Sequence, residues 1–304
     1  MREGQEQLKI ICAGRLYCDL IFTGMPRLPS HGTEVFANGF AVHPGGGAYI
    51  TAANLAQLGS DVALASMLPN APFIEAILPE MTAASVNLDL CQALPHDSGP
   101  QITAALVQEG DRAFVSHRSG PALPDLTEEK LANSQATHLH IGKLATLIEH
   151  PELIILARNA GLTVSLDCSW DDAITAAQIG DLIGQVDVFL PNELEVNRLL
   201  ELGLKTPFAP VTVAKLGAKG AVLQADGEQI AVPAEPLSAL DTTGAGDAFN
   251  AGFLSAWLRH EAPERCVEMG NMQARREILR RGGKPATSGP GNTQPMTQKK
   301  ALLG

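Results

Sequence analysis

Short apolar segments alternate with segments of helical spacing along most of this chain. Helical spacing over residues 48–58 and 151–160 ends in each case at a glycine, Gly59 and Gly161, as is common beyond a helix C-terminus. Strands that alternate with helices of about ten to fifteen residues build βαβ units. The sequence therefore predicts an α/β fold with a mostly parallel central sheet and helices on both faces. Its predicted strands are residues 9–13, 61–66, 137–141, 163–167, 187–190 and 210–216.

Two regions break this alternation, because strand-like segments follow one another there without a helix between them. These segments are residues 19–23 and 34–43 in the first region, and 86–92 and 101–117 in the second. We expect them to form a small antiparallel sheet, from about residues 18–43 and 86–118, that covers the carboxyl ends of the main strands as a lid. The open edges of such a sheet would also allow a homodimer to form through the lid.

The composition is that of a soluble globular protein. The chain has 304 residues, 45% of them hydrophobic and 18% charged, and no apolar run approaches the ~18 residues of a membrane-spanning helix. The first nine residues lack the basic flank and the apolar stretch of a secretory signal. We therefore expect a cytoplasmic protein without a membrane partner. Five scattered cysteines, none in a Cys-x-x-Cys pair, predict free thiols rather than disulfides or a zinc ribbon.

The charge is distributed unevenly. A net charge of −11 argues against a nucleic-acid partner, because binding to phosphates needs clustered lysine and arginine. Residues 271–304 differ from the rest, with seven basic side chains and one acidic side chain. From residue 282 onward the chain is rich in glycine, proline, threonine, glutamine and lysine. We therefore expect a single domain over residues 1–281 and a disordered basic tail over residues 282–304.

The strongest chemical signal is the run Asp-Thr-Thr-Gly-Ala-Gly-Asp-Ala-Phe at residues 241–249, which precedes an apolar helical pattern. Glycines before a helix allow several backbone N–H groups to converge at its N-terminus, where the helix dipole favours an anion. Asp247 falls in the first helical turn. A carboxylate there either caps the helix or accepts a proton from a hydroxyl that attacks phosphorus. The two glycines and the preceding threonines favour the second role.

Several other kinds of site lack their sequence signatures. The chain contains no Gly-x-x-x-x-Gly-Lys-Ser/Thr loop, and neither its Gly-rich turn at 45–47 nor residues 244–249 complete Gly-x-Gly-x-x-Gly. A Gly-x-Ser-x-Gly nucleophile elbow is also missing. His138 and His140 share one strand face but have no carboxylate or cysteine nearby in sequence, so we interpret them as structural rather than metal-binding.

The 241–249 run resembles the C-terminal signature of the ribokinase-like (PfkB) carbohydrate and nucleoside kinases. Four further segments agree with this family in the right order: Asp19 after the first strand, Pro44–Gly59, Pro191–Glu195 and Lys215–Gly220. The resemblance covers roughly residues 9–271. It implies a ribokinase-like fold and an ATP- and Mg²⁺-dependent kinase. Its implied site residues are Asp19, Gly45, Gly46 and Gly47 for the substrate, Lys215, Gly217, Gly220, Thr242 and Asn271 for the nucleotide, and Asn192 and Glu195 for magnesium through water.

Each of these segments also has a purely structural interpretation. Gly45–Gly47 suits a tight turn from strand to helix, and Asp19 suits an exposed position on the lid. Asn192 and Glu195 have the spacing of an N-cap with an acidic first turn. Lys215–Gly220 suits a β-turn with exposed lysines, and for Lys219 this alternative is as good as a functional role.

The chain departs from the family pattern at several places. Ile50 stands where the family usually has an asparagine that contacts the substrate, so polar recognition is weakened there. Residues 274–281 are strongly charged where the family continues with small apolar residues that close the adenine pocket and often a monovalent-cation site. Closure of the adenine pocket and potassium dependence are therefore not implied for this chain.

Together these features predict an ATP-dependent phosphotransferase that acts on a primary hydroxyl of a sugar or sugar-like molecule. Asp247 would be the base, and the backbone N–H groups of Gly244, Ala245 and Gly246 would stabilise the transferred phosphoryl group. The alternative is a non-catalytic sugar- or nucleotide-binding protein on the same fold. A sugar-phosphate kinase ranks lower, because only Arg15 and Arg27 supply positive charge near Asp19 in sequence.

Overall fold

The computed structural model describes residues 8–108, 111–169, 174–179, 181–238, 242–280 and 284–285. Strands in this part of the chain are β1 (Lys9–Ala13), β2 (Tyr17–Thr23), β3 (Gly39–Gly45), β4 (Asp61–Ala65), β5 (Met67–Leu68), β6 (Gln92–Ala93), β7 (Ile102–Gln108), β8 (Asp111–His117), β9 (His138–Ile141), β10 (Thr163–Asp167), β11 (Val188–Leu190), β12 (Val211–Lys215), β13 (Ala221–Ala225), β14 (Glu228–Val232), β15 (Leu237–Ser238) and β16 (Lys284–Pro285).

Helices lie between most of these strands. They are α1 (Gly47–Gln57), α2 (Phe73–Ala83), α3 (Glu128–Asn133), α4 (Leu144–Glu149), α5 (Leu153–Asn159), α6 (Ala176–Ile179), α7 (Glu193–Glu201), α8 (Ala245–Trp257) and α9 (Pro263–Arg280), with short 3₁₀ turns at Ile183–Gln185 and Gly217–Lys219.

Eight of the described strands form the central sheet, in the order β14-β13-β12-β11-β10-β9-β1-β4. All pairs from β4 across to β12 are parallel, and the pairs β12–β13 and β13–β14 are antiparallel. The prediction of a mostly parallel sheet is therefore confirmed. The predicted strands at 9–13 and 163–167 coincide with β1 and β10, and the other predicted strands extend no more than one residue beyond the observed bounds at either end.

Side chains alternate between the two faces of the sheet, as the pleat requires. Ile11 and Ala13 pack into one core cluster with residues of α3, α4, α5 and α7. Ile10 and Cys12 face the opposite way and pack against α1, α2 and α8. Both faces are thus buried under helices. Full burial of one such aliphatic side chain stabilises the fold by about 1.5–3 kcal/mol.

The lid is a separate four-stranded sheet in the order β3-β2-β7-β8. Its outer pairs, β2–β3 and β7–β8, are antiparallel as predicted, whereas the central pair β2–β7 is parallel. The prediction that residues 86–92 belong to the lid is wrong. Val86 is buried in the main core, and Asn87 pairs with Ala63 at the edge of the central sheet, because apolar contacts there outweigh pairing with the lid.

The C-terminal part of the domain is helical up to residue 280. Helix α9 runs without interruption through the charged segment that departs from the family pattern. Within the predicted tail, Lys284–Pro285 pair antiparallel with Leu237–Ser238, and residues 282–283 and 286–304 lie outside the described residues. No helix of the described part combines the length and apolar character needed to cross a membrane.

Candidate active site

A cavity of about 610 Å³ lies at the carboxyl ends of β10, β11 and β12, where ligands commonly bind in open α/β sheets. The lid contributes Phe114 of β8 to its wall. The structure places most of the predicted site residues around this one cavity. They are Asn192, Glu195, Lys215, Gly217, Gly220, Thr242, Gly244, Ala245, Gly246, Asp247 and Asn271.

The N-terminus of α8 forms one side of the cavity. Its N-cap is Gly244, with a left-handed φ of 75°, a conformation that favours glycine. Glycine has no side chain to cap the helix, so the backbone N–H groups of the first turn keep the capacity to bind an anion. The N–H of Ala245 donates to the carbonyl of Thr242 at 3.2 Å, which fixes the approach to the helix. Asp241, the first residue of the predicted motif, lies outside the described residues.

Asp247 is half-buried in the first turn of α8. Burial raises the pKa of its carboxyl group to about 7, with the negative charge of Asp167 adding to the rise and Lys215 opposing it. The hydroxyl of Thr51 donates to the backbone carbonyl of Asp247 at 3.3 Å, which ties α1 to α8. A carboxyl group with such a pKa can hold or release a proton near neutral pH.

Of the four predicted substrate residues, Gly47 adjoins Asp247 and Gly45 adjoins Asp19. A Cβ atom at Gly47 would lie 2.9 Å from Asp247 Oδ1 and 2.6 Å from the carbonyl oxygen of Gly142, so this turn admits only glycine. A Cβ atom at Gly45 would lie 2.0 Å from Asp19 Oδ2. The charge of Asp19 contributes to the raised pKa of Asp247. Residues that are more than 200 positions apart in the sequence thus surround one carboxylate.

Lys215 is held by two buried groups that the sequence pattern alone did not indicate. Its Nζ atom donates to Asp167 Oδ1 at 2.8 Å and to Asn250 Oδ1 at 3.0 Å. Burial alone would lower the pKa of Lys215, but the charges of Asp167 and Glu195 outweigh burial and raise it. Asp167 ends β10 and Asn250 lies one turn beyond Asp247 in α8. A polar residue at the carboxyl end of a predicted strand was the signal available for Asp167.

The loop Gly217–Gly220 connects the antiparallel strands β12 and β13 beneath the cavity. The N–H of Leu216 donates to the carbonyl of Gly220 at 2.8 Å and closes the turn. Lys219 is exposed and forms an ion pair with Glu193 at 3.1 Å, outside the residues that line the cavity. For Lys219 the structure agrees with the β-turn interpretation.

Asn192 and Glu195 form a capping box at the start of α7. The N–H of Glu195 donates to Asn192 Oδ1 at 3.0 Å, and the N–H of Asn192 donates to Glu195 Oε2 at 2.7 Å. This is the helix cap that the sequence offered as the structural alternative. Both side chains also line the cavity, and Glu195 is only 6% exposed. Capping and contact with a ligand are therefore compatible at these two positions.

Helix α9 forms the wall opposite α7. Asn271 Nδ2 donates to the carbonyl oxygens of Val232 and Pro233 at 3.3 and 3.4 Å. Ala274, Arg275 and Ile278 continue this wall along the helix, and Arg275 forms an ion pair with Glu235 at 3.0 Å. The charged segment that departs from the family pattern therefore still supplies one side of the cavity.

His138 and His140 are both buried beneath the sheet face that α8 covers. The rings bond to Ser165 Oγ at 2.7 and 2.9 Å, and His138 also bonds to Thr163 Oγ1 at 2.7 Å. Burial lowers the pKa of His138 to about 3 and that of His140 to about 4. Among the residues that the structure describes, no group of three or more histidine, cysteine or acidic side chains is arranged to hold a metal ion.

Acid pH should destabilise the fold through these two histidines. Their folded pKa values lie below the ordinary 6.5, so unfolding takes up protons and stability falls as the pH drops from about 6.5 towards 4. We expect a loss on the order of 5 kcal/mol from the two histidines together by pH 4.5, measured by urea denaturation. His140→Gln should reduce this dependence, whereas exposed His31→Gln should not. An equal slope in both variants would contradict the assignment.

The sequence profile of the pfkB family carbohydrate kinases matches residues 8–287 of this chain. An uncharacterized sugar kinase of Archaeoglobus fulgidus is 30% identical over 133 residues, which cover 38% of this chain and about half, 51%, of that protein. An ATP-dependent ribose-1-phosphate kinase of Halopiger xanaduensis is 26% identical over 275 residues, covering 87% of this chain and 90% of that one. Arabidopsis thaliana ribokinase, solved with ribose and ATP, superposes with a TM-score of 0.73 at 21% identity, covering 90% and 92% of the two chains.

Proposed function

Because the chain belongs to the pfkB family of carbohydrate kinases, we propose that it transfers the γ-phosphoryl group of ATP to a primary hydroxyl of a sugar or sugar-like molecule. One observation carries this proposal. The carboxylate of Asp247 lies between the N-terminus of α8 and Gly47 of the turn before α1. A base and an anion-binding helix terminus therefore adjoin at one point of a cavity large enough for a small-molecule ligand. The ribose and ATP bound to Arabidopsis ribokinase support this class of substrates.

Asp247 acts as the general base. Its carboxylate takes the proton of the acceptor hydroxyl as that oxygen forms a bond to the γ-phosphorus and the bond to the β-phosphate oxygen breaks, which releases ADP. The pKa of about 7, raised first by burial, suits a group that must accept this proton near neutral pH.

The N–H groups of Gly244, Ala245 and Gly246 stabilise the charge on the transferred phosphoryl group, that of Ala245 in exchange for its bond to the carbonyl of Thr242. Backbone donors at a helix terminus are already oriented, which limits reorganisation during the reaction. The loss of a single donor of this kind typically lowers turnover by ~10²- to 10³-fold. Lys215, anchored by Asp167 and Asn250 beside Gly246, adds a positive charge at the same end of the cavity.

The acceptor is oriented by Asp19 and by the turn Gly45–Gly47. Asp19 lies on β2 of the lid and contacts the region of Gly45, so it can accept hydrogen bonds from sugar hydroxyls next to Asp247. The lid excludes water, which would otherwise compete as the phosphoryl acceptor. The nucleotide lies along the residues Lys215, Gly217, Gly220, Thr242 and Asn271, all of which line the 610 Å³ cavity.

The residues around the cavity fit a magnesium ion held through water. Glu195, a buried acidic residue, lines the cavity, and Asn192 lies beside it. Magnesium keeps several water ligands and is commonly held by one or two carboxylates together with substrate phosphates. When bound, it neutralises charge on the phosphates and draws electron density from them. Asn192 and Glu195 would orient its water ligands.

A phosphorylated acceptor is less well supported by the structure. The guanidinium group of Arg15 forms an ion pair with Glu149 at 2.7 Å and donates to Gln101 Oε1 at 3.1 Å and the carbonyl of Gly120 at 2.9 Å. Arg27 donates to the carbonyl of Leu28 and to Thr33 Oγ1. Since the two arginines near Asp19 in sequence already have partners, we favour a neutral sugar or nucleoside over a sugar phosphate.

The test is ADP release from Mg·ATP across a panel of pentoses, hexoses, sugar acids, nucleosides and ribose 1-phosphate, with thermal shifts for the same compounds. We expect one acceptor to stimulate ADP release and to raise the melting temperature. If a sugar shifts the melting temperature and no acceptor stimulates ADP release, the chain is a binding protein on the same fold and the kinase assignment to this site is wrong.

The lid should hold two copies of the chain together. Phe36 and Phe40 are 76% and 60% exposed, and Val115 is 67% exposed. The strands β3 and β8 end the lid sheet at open edges, which favour pairing with another chain. We expect a dimer in sedimentation velocity, and Phe40→Ser should raise its dissociation constant by about tenfold or more. The matched control is Ile155→Ser, which removes an equally exposed side chain from α5. A monomer at micromolar concentration would contradict this prediction.

A further inference from the structure

A second cavity, of about 470 Å³, lies between α1, α2 and the end of α9. Its walls come from the end of β3, from α1, from α2 and from the last turn of α9. It shares no lining residue with the first cavity. Its volume falls within the range typical of small-molecule sites.

Tyr49 lines this cavity, and its hydroxyl has no hydrogen-bond partner among the described residues, although the residue is only 3% exposed. The hydroxyl can therefore donate to or accept from a ligand in the cavity. Burial raises the pKa of Tyr49; the charge of Glu80 adds to this rise and that of Arg280 opposes it. The hydroxyl therefore lies within the fields of two opposite charges on different helices.

These two charges still have bonding capacity. Arg280 on α9 uses Nε and Nη2 to hold the buried Glu277 at 2.9 and 2.7 Å, and its Nη1 has no partner among the described residues. Glu80 on α2 uses Oε2 to accept from His43 at 2.7 Å, and the described part of the chain offers no partner to Oε1. A guanidinium donor and a carboxylate acceptor therefore face one cavity from two helices.

We propose that this cavity binds a free α-amino acid, with its carboxylate on Arg280, its ammonium group on Glu80 and Tyr49, and its side chain against the apolar wall of Ile50 and Ala53. A dianionic phosphate compound is disfavoured, because Glu80 and Glu277 outnumber the one arginine. A neutral sugar would bring no charge to the unused Nη1 of Arg280 or to the unused Oε1 of Glu80. A zwitterion satisfies both of them.

Binding in this cavity is coupled to the active site through shared elements. The face of α9 with Glu277 and Arg280 lines the second cavity, whereas the face with Asn271 and Ile278 lines the first. Helix α1 begins at Gly47, which adjoins Asp247. An amino acid that positions the end of α9 should therefore change the affinity for ADP severalfold, in either direction.

The experiment is isothermal titration calorimetry of the full chain, without sugar or nucleotide, against each common L-amino acid at millimolar concentration. We expect at least one to bind and to raise the melting temperature. Glu80→Gln keeps the shape of the exposed Glu80 side chain, and Tyr49→Phe keeps the ring of the buried Tyr49. Each variant should weaken binding of that amino acid by about tenfold. The control Glu75→Gln changes an exposed acid on α2 outside the cavity and should leave binding unchanged.

Three results would overturn the proposal. They are no binding by any amino acid, binding that survives both Glu80→Gln and Tyr49→Phe, and binding that ethylamine or acetate alone reproduces with equal affinity. Because this titration needs no phosphoryl transfer, its outcome does not depend on whether the chain proves to be a kinase.

Discussion

Asparagine in place of Asp247 is expected to lower the turnover number for phosphoryl transfer by about 10²- to 10⁴-fold, the range typical for the loss of a general base. The amide has the same shape as the carboxylate but cannot accept the proton. Binding of ADP and of the acceptor sugar, measured by calorimetry, should change by much less. Turnover in wild type should rise with pH through about 7, because Asp247 must lose its proton and burial raises its pKa to that value.

The same substitution should stabilise the fold above neutral pH. Since the pKa of Asp247 is raised in the folded protein, its ionisation opposes folding as the pH rises from about 4 to 7. Asp247→Asn removes this penalty, which we expect to be on the order of 1 kcal/mol or more at pH 8. Asp226→Asn, on an exposed turn, is the matched control. Turnover within tenfold of wild type in Asp247→Asn would exclude Asp247 as the base.

Methionine in place of Lys215 should lower the free energy of unfolding by about 3–5 kcal/mol, because it leaves Asp167 buried and without its cationic partner. Methionine keeps most of the length and apolar volume of lysine. The double variant with Asp167→Asn should recover much of the loss, since it removes the unpaired charge. Urea denaturation of the two single variants and the double variant gives the coupling energy directly.

Lys215→Met should also shift the pH profile of turnover. The positive charge of Lys215 lowers the pKa of Asp247, so its removal should move the midpoint to higher pH and raise the KM for ATP. Lys219→Met, on the exposed end of the same loop, is the control for the loss of a lysine. If Lys215→Met lowers the free energy of unfolding no more than Lys219→Met does, the ion pair between Lys215 and Asp167 does not stabilise the site.

Local pattern was sufficient to predict the six strands β1, β4, β9, β10, β11 and β12 of the eight in the central sheet. Strands such as β1 and β11 are short, mainly apolar runs bounded by turns, and that pattern depends only on neighbouring residues. Pairing in the lid was harder to predict. The parallel alignment of β2 with β7 joins segments some 80 residues apart, and nothing within either strand specifies its partner. The prediction that residues 86–92 belong to the lid was wrong for the same reason. The burial of Val86 depends on an edge of the central sheet that is distant in sequence.

The candidate site was predictable to the extent that its residues follow strands or open helices. Asp247 could be named in advance because it follows two glycines in the first turn of a predicted helix, and Glu195 because its segment resembles the Asn-x-x-Glu motif of the family. Asn250 could not, because an asparagine within a helix gives no sign that it faces a lysine from another strand. Its role follows from the packing of α8 on the sheet, which is a property of the tertiary structure.

The most direct test of the proposed reaction is to identify its product. Wild-type protein, Mg·ATP and the acceptor that best stimulates ADP release are incubated together, and the acceptor is analysed by mass spectrometry and ³¹P NMR. We predict one phosphorylated acceptor for each ADP, with the phosphate on a primary hydroxyl and none formed by Asp247→Asn. ADP that accumulates with inorganic phosphate and an unchanged sugar would contradict phosphoryl transfer to a sugar at this site.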